Sequence, residues 1–348
     1  MPNGVQDDGP ERLDRIWFTR CPVPAASGVA WALGWLTEDF AQDGIDVAWM
    51  REDALHLVQP GAGGQGRMLF REGGNIPALA ARALGAPTRV IGLTWIDERQ
   101  AIMVRPGSQI FEPADLKGLR VALPGYSATR GRSILRGMSL HGVKNALAIA
   151  GLGLGDVTFV DVPAPPVDFA APETLARMWS GLEWVADGRL DAVYVKGAAA
   201  AEAAAGLGLV VGVDLDVYPS RMTRINNGTP RPITVHEYMI EEHFDLVVRF
   251  LDQTLRAADW AATNLPALRR ILAQETLAGP AGVMSAYRND FHRSLHPDTS
   301  ADRVGMLRSQ ADFLHLHGFL ESAVDVDSWI DPRPLDAALA LRAARKAA

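Results

Sequence analysis

The chain has 348 residues, 48% hydrophobic and 22% charged, with a net charge of −7 and a single cysteine. That length suits two domains of ordinary size with sizeable cores, and one cysteine excludes both an internal disulfide framework and a cysteine-based zinc cluster. The acidic balance, without a run of Lys and Arg, argues against nucleic acid or an anionic membrane surface as a partner.

The start of the chain, Met1 to Pro10, is polar and acidic and lacks the basic flank and apolar core of a signal peptide, so the expected location is cytoplasmic. The most apolar stretch, Gly197 to Val213, is interrupted by Glu202 and falls short of the roughly 18 residues a spanning helix needs. Ile16 to Thr19 is an apolar, β-branched run that predicts a buried strand, which Pro22 and Pro24 forbid from continuing. Cys21 therefore stands at a strand's carboxyl end, where open α/β sheets gather their ligands. A structural cysteine, acting as a small hydrophobe, suits the same place. Ser27 is expected to cap a helix running through Trp31, Trp35, Leu36 and Phe40 to Gly44, followed by an alternating strand from Ile45 to Trp49.

Pro60 to Gly66 reads as a flexible loop, with His56 before it and Arg67 and Arg71 after it; it lacks the Gly-Lys-Ser/Thr ending of a phosphate loop. Gly73-Gly74-Asn75-Ile76-Pro77 predicts a helix start with Asn75 as cap and Gly85 as stop. Free backbone N–H groups at such a start, with Arg71 beside them, make an anion site. Strands follow at Arg89 to Trp95 and Ala101 to Arg105, then a capped turn from Phe111 leads into a strand at Arg120 to Leu123.

From there strands and helices alternate: a helix from Ser127, a strand from Val157 to Val162, a helix from Glu173 to Asp187, a strand from Leu190 to Val195, a helix from Ala198 to Ala205 and a strand from Leu207 to Val213. That alternation implies a parallel sheet covered on both faces. Ile233 to Met239 reads as a returning strand, and the rest is mostly helical. Other candidates carry less. His236 and His243 lack metal-ligand spacing; His315 and His317 point to different helix faces; Gly151 to Gly155 reads as a helix stop. Five of the nine tryptophans precede position 100, most expected in the core, with one or two near Cys21 lining an aromatic pocket.

Glu38 to Val47, Ala114 to Ala122 and Gly188 to Val193 together resemble the periplasmic-binding-protein-like type II fold of nitrate, sulfonate and taurine receptors. The resemblance implies an α/β protein of two lobes with the ligand between them and two interlobe crossings, near Arg105 and Ile233. The lobes are then residues 1–108 with 235–348, and residues 109–234. Cys21-Pro22-Val23-Pro24 with Arg71-Glu72-Gly73-Gly74-Asn75-Ile76-Pro77 is similar to one enzymatic branch, the 2'-hydroxybiphenyl-2-sulfinate desulfinases. These release sulfite from an aromatic sulfinate using a cysteine, a histidine, an arginine and a glycine N–H. The positions implied here are Cys21, His56, Arg71 and Gly74.

The chemistry is coherent on its own terms. A thiol near an imidazole and a guanidinium is expected to react as a thiolate; Arg71 with the helix start at Gly73, Gly74 and Asn75 holds an anionic oxygen; His56 moves a proton to the carbon that loses sulfur; Ser127 faces them from the other lobe. Whether Cys21 attacks sulfur or delivers that proton stays open. The leading expectation is a carbon–sulfur lyase that needs no metal or cofactor and acts on a bulky organic sulfinate. The alternatives are a non-catalytic binding protein for a small organic anion and a pyrimidine-precursor synthase; the latter branch uses a Cys-rich motif, against which a single cysteine counts.

Overall fold

The computed structural model describes residues 13–21, 23–50, 64–163, 179–288 and 290–347. Among these the strands are β1 (Arg15–Arg20), β2 (Asp46–Trp49), β3 (Leu69–Glu72), β4 (Thr88–Thr94), β5 (Gln100–Val104), β6 (Arg120–Pro124), β7 (Thr158–Val162), β8 (Ala192–Lys196), β9 (Val210–Asp214) and β10 (Arg231–His236). The helices are α1 (Ala26–Ala32), α2 (Trp35–Ala41), α3 (Asn75–Ala83), α4 (Ile134–Ile149), α5 (Leu182–Ala186), α6 (Ala198–Gly206), α7 (Glu237–Glu242), α8 (Phe244–Thr263), α9 (Leu265–Thr276), α10 (Pro280–Ala286), α11 (Ala301–Leu316), α12 (Val326–Trp329) and α13 (Arg333–Ala347). None of them is long and apolar enough to cross a membrane.

Ile16 and Phe18 share one face of β1 and are fully buried, which makes it an interior strand. It pairs in parallel with β2 and β3, Arg20 lying opposite Glu72. Beneath, Phe250 of α8 stacks on Phe70 at 4.3 Å and approaches Phe18 at 5.9 Å, seating the first sheet on its longest helix. The strand order is β2-β1-β3-β10-β4 in this sheet and β7-β6-β8-β5-β9 in the second.

The α/β architecture with two sheets is as expected, but neither sheet is purely parallel. β10 runs antiparallel to β3 and β4, and β5 runs antiparallel to β8 and β9. Each is the strand that arrives from the other sheet rather than through a helical crossover on its own, so nothing obliges it to run in the common direction. The chain passes between the sheets at residues 95–99 and again at residues 215–230. The crossing expected near Arg105 therefore lies earlier, because β5 already belongs to the second sheet. The return expected at Ile233 is complete before β10 begins.

Three local expectations also change. Ser27 is not a cap but lies inside α1, behind Ala25, and the single helix expected here breaks at Gly34, whose φ of 78° is left-handed. The helix expected from Ser127 begins at Ile134, because residues 125–129 are irregular and a 3-10 turn at Arg130–Arg132 precedes it. The strand expected to reach Met239 stops at His236, whose Nδ1 accepts the Tyr238 N–H at 3.0 Å and so caps α7.

Candidate functional site

Cys21 follows β1, and its own N–H still bonds the Glu72 carbonyl of β3 at 3.3 Å, so the sheet ladder fixes where the half-buried thiol stands. The next turn of chain after β3 is Gly73-Gly74, and α3 opens immediately after it. The Gly74 N–H donates to Cys21 Sγ at 3.1 Å. Both glycines are closely approached by side chains. A Cβ on Gly73 would sit 2.4 Å from Arg71 Cζ, and one on Gly74 would sit 2.3 Å from Asn227 Oδ1. Arg71, only 1% exposed, turns back on this loop and gives Nη1 to the Gly74 carbonyl at 3.2 Å.

The crossings complete the surroundings. Asn227 Oδ1 accepts the Ile76 N–H at 3.0 Å, an external cap for α3 delivered by the second crossing. Lys196, the last residue of β8, pairs with Glu98 of the first crossing at 3.2 Å and donates to the Asn227 carbonyl at 2.8 Å. Arg231, the first residue of β10, has its guanidinium beside the Cys21 sulfur. Burial works against its charge, but the sulfur, Glu72 and Glu98 outweigh burial and hold its pKa above the ordinary value. For Lys196 burial wins over Glu98, so its pKa is lowered. Arg71, Arg231 and Lys196 are all buried here, as are the carboxylates of Glu72 and Glu98.

Of the residues expected at the site, Cys21, Arg71, Gly73 and Gly74 come together. Asn75 is the first residue of α3 rather than its cap, and its buried amide donates to the Asn226 and Pro230 carbonyls at 2.8 and 2.9 Å, tying the helix to the second crossing. Ser127 is exposed in the loop after β6, its N–H bonded to Ser133 Oγ at 2.9 Å. His56 lies outside the described residues, as do residues 51–63 around it. Two tryptophans near the N-terminal strands serve packing: Trp31 lies 5.8 Å from Phe18, and Trp95 is fully buried with its Nε1 on Asp97. The residues missed were Arg231, Lys196, Glu98, Asn227 and the Ser27–Glu72 pair. Lys196 was within reach of the rule applied to Cys21, since it ends a strand at its carboxyl side.

Two mixed sheets with helices, joined by two crossings, define the periplasmic-binding-protein-like class of α/β proteins. The chain belongs to the NMT1/THI5-like family, matched over residues 28–266. It is 28% identical over 365 residues to the 2'-hydroxybiphenyl-2-sulfinate desulfinases of Rhodococcus erythropolis and Rhodococcus qingshengii, with 94% of each chain covered. The crystal structure of the desulfurization enzyme DSZB superposes with a TM-score of 0.70 at 25% identity, covering 94% of this chain and 99% of that one. The periplasmic aliphatic sulphonate binding protein SsuA of Escherichia coli shares the fold, with a TM-score of 0.68 at 16% identity and 92% of each chain covered.

Proposed function

We propose that the protein is a desulfinase-type carbon–sulfur lyase that releases sulfite from an aromatic or similarly bulky sulfinate at Cys21. The observation that carries this reading is the thiol at 3.1 Å from the Gly74 N–H, at the opening of α3, with buried cations beside it. A receptor needs a charged pocket but no thiol at its centre. The relationship to the Rhodococcus desulfinases over nearly the whole chain supports the same reading.

In this reading Arg71 and the α3 N-terminus hold a sulfinate oxygen through charge-assisted bonds. Two balanced routes lead onward. In the first, the Cys21 thiol gives its proton to the ring carbon, the C–S bond breaks, sulfur dioxide leaves and is hydrated to bisulfite, and the thiolate regains a proton from water. In the second, the Cys21 sulfur bonds the substrate sulfur as the thiol's proton passes to the ring carbon and the C–S bond breaks, and water then frees bisulfite from the sulfur adduct and restores the thiol. Mass spectrometry of Cys21 after rapid quenching separates them, since only the second leaves sulfur dioxide bound to the thiol. The primary experiment is incubation of the pure protein with an aromatic sulfinate and an assay for sulfite. Binding of organic sulfonates without any sulfite release would give the receptor reading its place, as the shared fold with SsuA allows.

A further inference from the structure

Arg231 is 3% exposed, yet among the described residues its Nε and Nη1 have no hydrogen-bond partner. Buried N–H groups in native proteins are almost always satisfied, and a charged donor left open is costly. The nearby carboxylates do not serve it. Glu72 gives one oxygen to the Ser27 N–H at 3.1 Å and to the Ser27 hydroxyl, and the other to Thr94 Oγ1 at 2.7 Å. Glu98 gives one oxygen to the Tyr287 hydroxyl at 2.6 Å and the other to Lys196 at 3.2 Å. These carboxylates balance the guanidinium charge through space while their oxygens are committed elsewhere. The preceding loop is shaped to admit the group: Gly228 has a φ of 86°, and a Cβ there would meet Arg231 Nη2 at 2.4 Å. Arg231 also faces the sulfur of Cys21, on which Gly74 N–H converges from α3.

We propose that Arg231 is a second substrate-binding residue of this site, one of whose open donors takes an oxygen of the ligand's anionic head while Arg71 and the opening of α3 take another. The inference rests on the desulfinase reading for the identity of the ligand, and it narrows the class. The head must carry at least two acceptor oxygens on one central atom, as sulfinate and sulfite do and as phenolate and thiolate do not. The contact also comes from the start of β10, directly after the second crossing, so the anion is gripped where the chain re-enters the first sheet.

The test is titration calorimetry of sulfite and of benzenesulfinate against the parent protein, Arg231→Gln and Arg231→Lys, each with its thermal unfolding recorded. Arg231→Gln is expected to weaken both ligands about tenfold or more, the size of a lost charge-assisted contact. Arg231→Lys keeps the charge with different donors and is expected to fall between the two; it carries the test if the glutamine variant does not fold. A folded glutamine variant, or in its absence a folded lysine variant, that binds both ligands with the parent affinity overturns the proposal, as it would if water alone serves the open donors. A parent that binds neither ligand overturns it as well. Weakened sulfite binding in the variants of a parent that releases no sulfite from sulfinates would leave Arg231 in place and remove the desulfinase reading instead.

Discussion

Exchanging Cys21 for serine keeps an acceptor for the Gly74 N–H but replaces an acidic thiol with a hydroxyl whose proton is far harder to remove. Cys21→Ser is therefore expected to lose sulfite release almost completely while binding sulfinate within a few-fold of the parent, measured by the sulfite assay and by calorimetry. Turnover at the parent rate would remove the mechanism. Arg71 is a different case. An exposed arginine would tolerate truncation, but this one is 1% exposed and bonded to the Gly74 carbonyl. Arg71→Ala is expected to lower stability by about 2–4 kcal/mol as well as weaken binding, so urea unfolding and calorimetry should both move. At this scale the sequence was informative where residue type and chain position coincide, as at Cys21 and Gly74. It was silent on Arg231 and Glu98, because a charged residue at the edge of a strand or in a short connection looks like any solvated side chain until the fold buries it.

Elements were legible where hydrophobic period and turn residues agree. The first strand, the strand at Thr88–Thr94, the capped turn at Pro113–Leu116 and the helix stop at Gly151 all follow from local pattern. Caps were less so, because a cap is decided by where the chain comes from. Ser27 and Asn75 both look like N-caps, yet each lies one residue or more inside its helix and spends its side chain on a distant partner. Asn75 is the more consequential. Its amide is the buried link between α3 and the second crossing, so Asn75→Ala strands two carbonyls and is expected to cost about 1–3 kcal/mol of stability. Urea unfolding with a small change in sulfinate affinity would fit this bracing role. An unchanged midpoint with lost affinity would show that the amide serves the ligand instead.

On the scale of the molecule, the sequence implied two lobes but could not say which distant segments close on each other, since no local pattern records a partner more than a hundred residues away. One buried core shows the outcome: it draws together Leu79 and Val90 from the first sheet's layer, Val121 and Val193 from the second sheet, and Leu307 and Leu314 from α11. Within that region His141 of α4 meets Gln310 Oε1 at 2.6 Å through Nδ1 and stacks on Phe313 at 3.9 Å, both on α11. Burial first, then the Lys144 charge, pushes its pKa down to about 3, with the Gln310 bond opposing. The folded protein thus holds a neutral ring, whereas the unfolded chain takes up a proton near the ordinary histidine value of about 6.5. Because the unfolded state binds the extra proton between those two values, the neutral ring's contribution is fully present above about pH 6.5. It is lost as the pH falls toward 3, by up to about 1.4 kcal/mol per pH unit. His141→Leu removes this titration along with the Gln310 bond. The variant is expected to be less stable than the parent at pH 7, and the gap is expected to narrow by about 2 kcal/mol at pH 5. Urea unfolding at both pH values reads this directly, and a gap that does not change with pH would show that His141 is not held neutral by its surroundings.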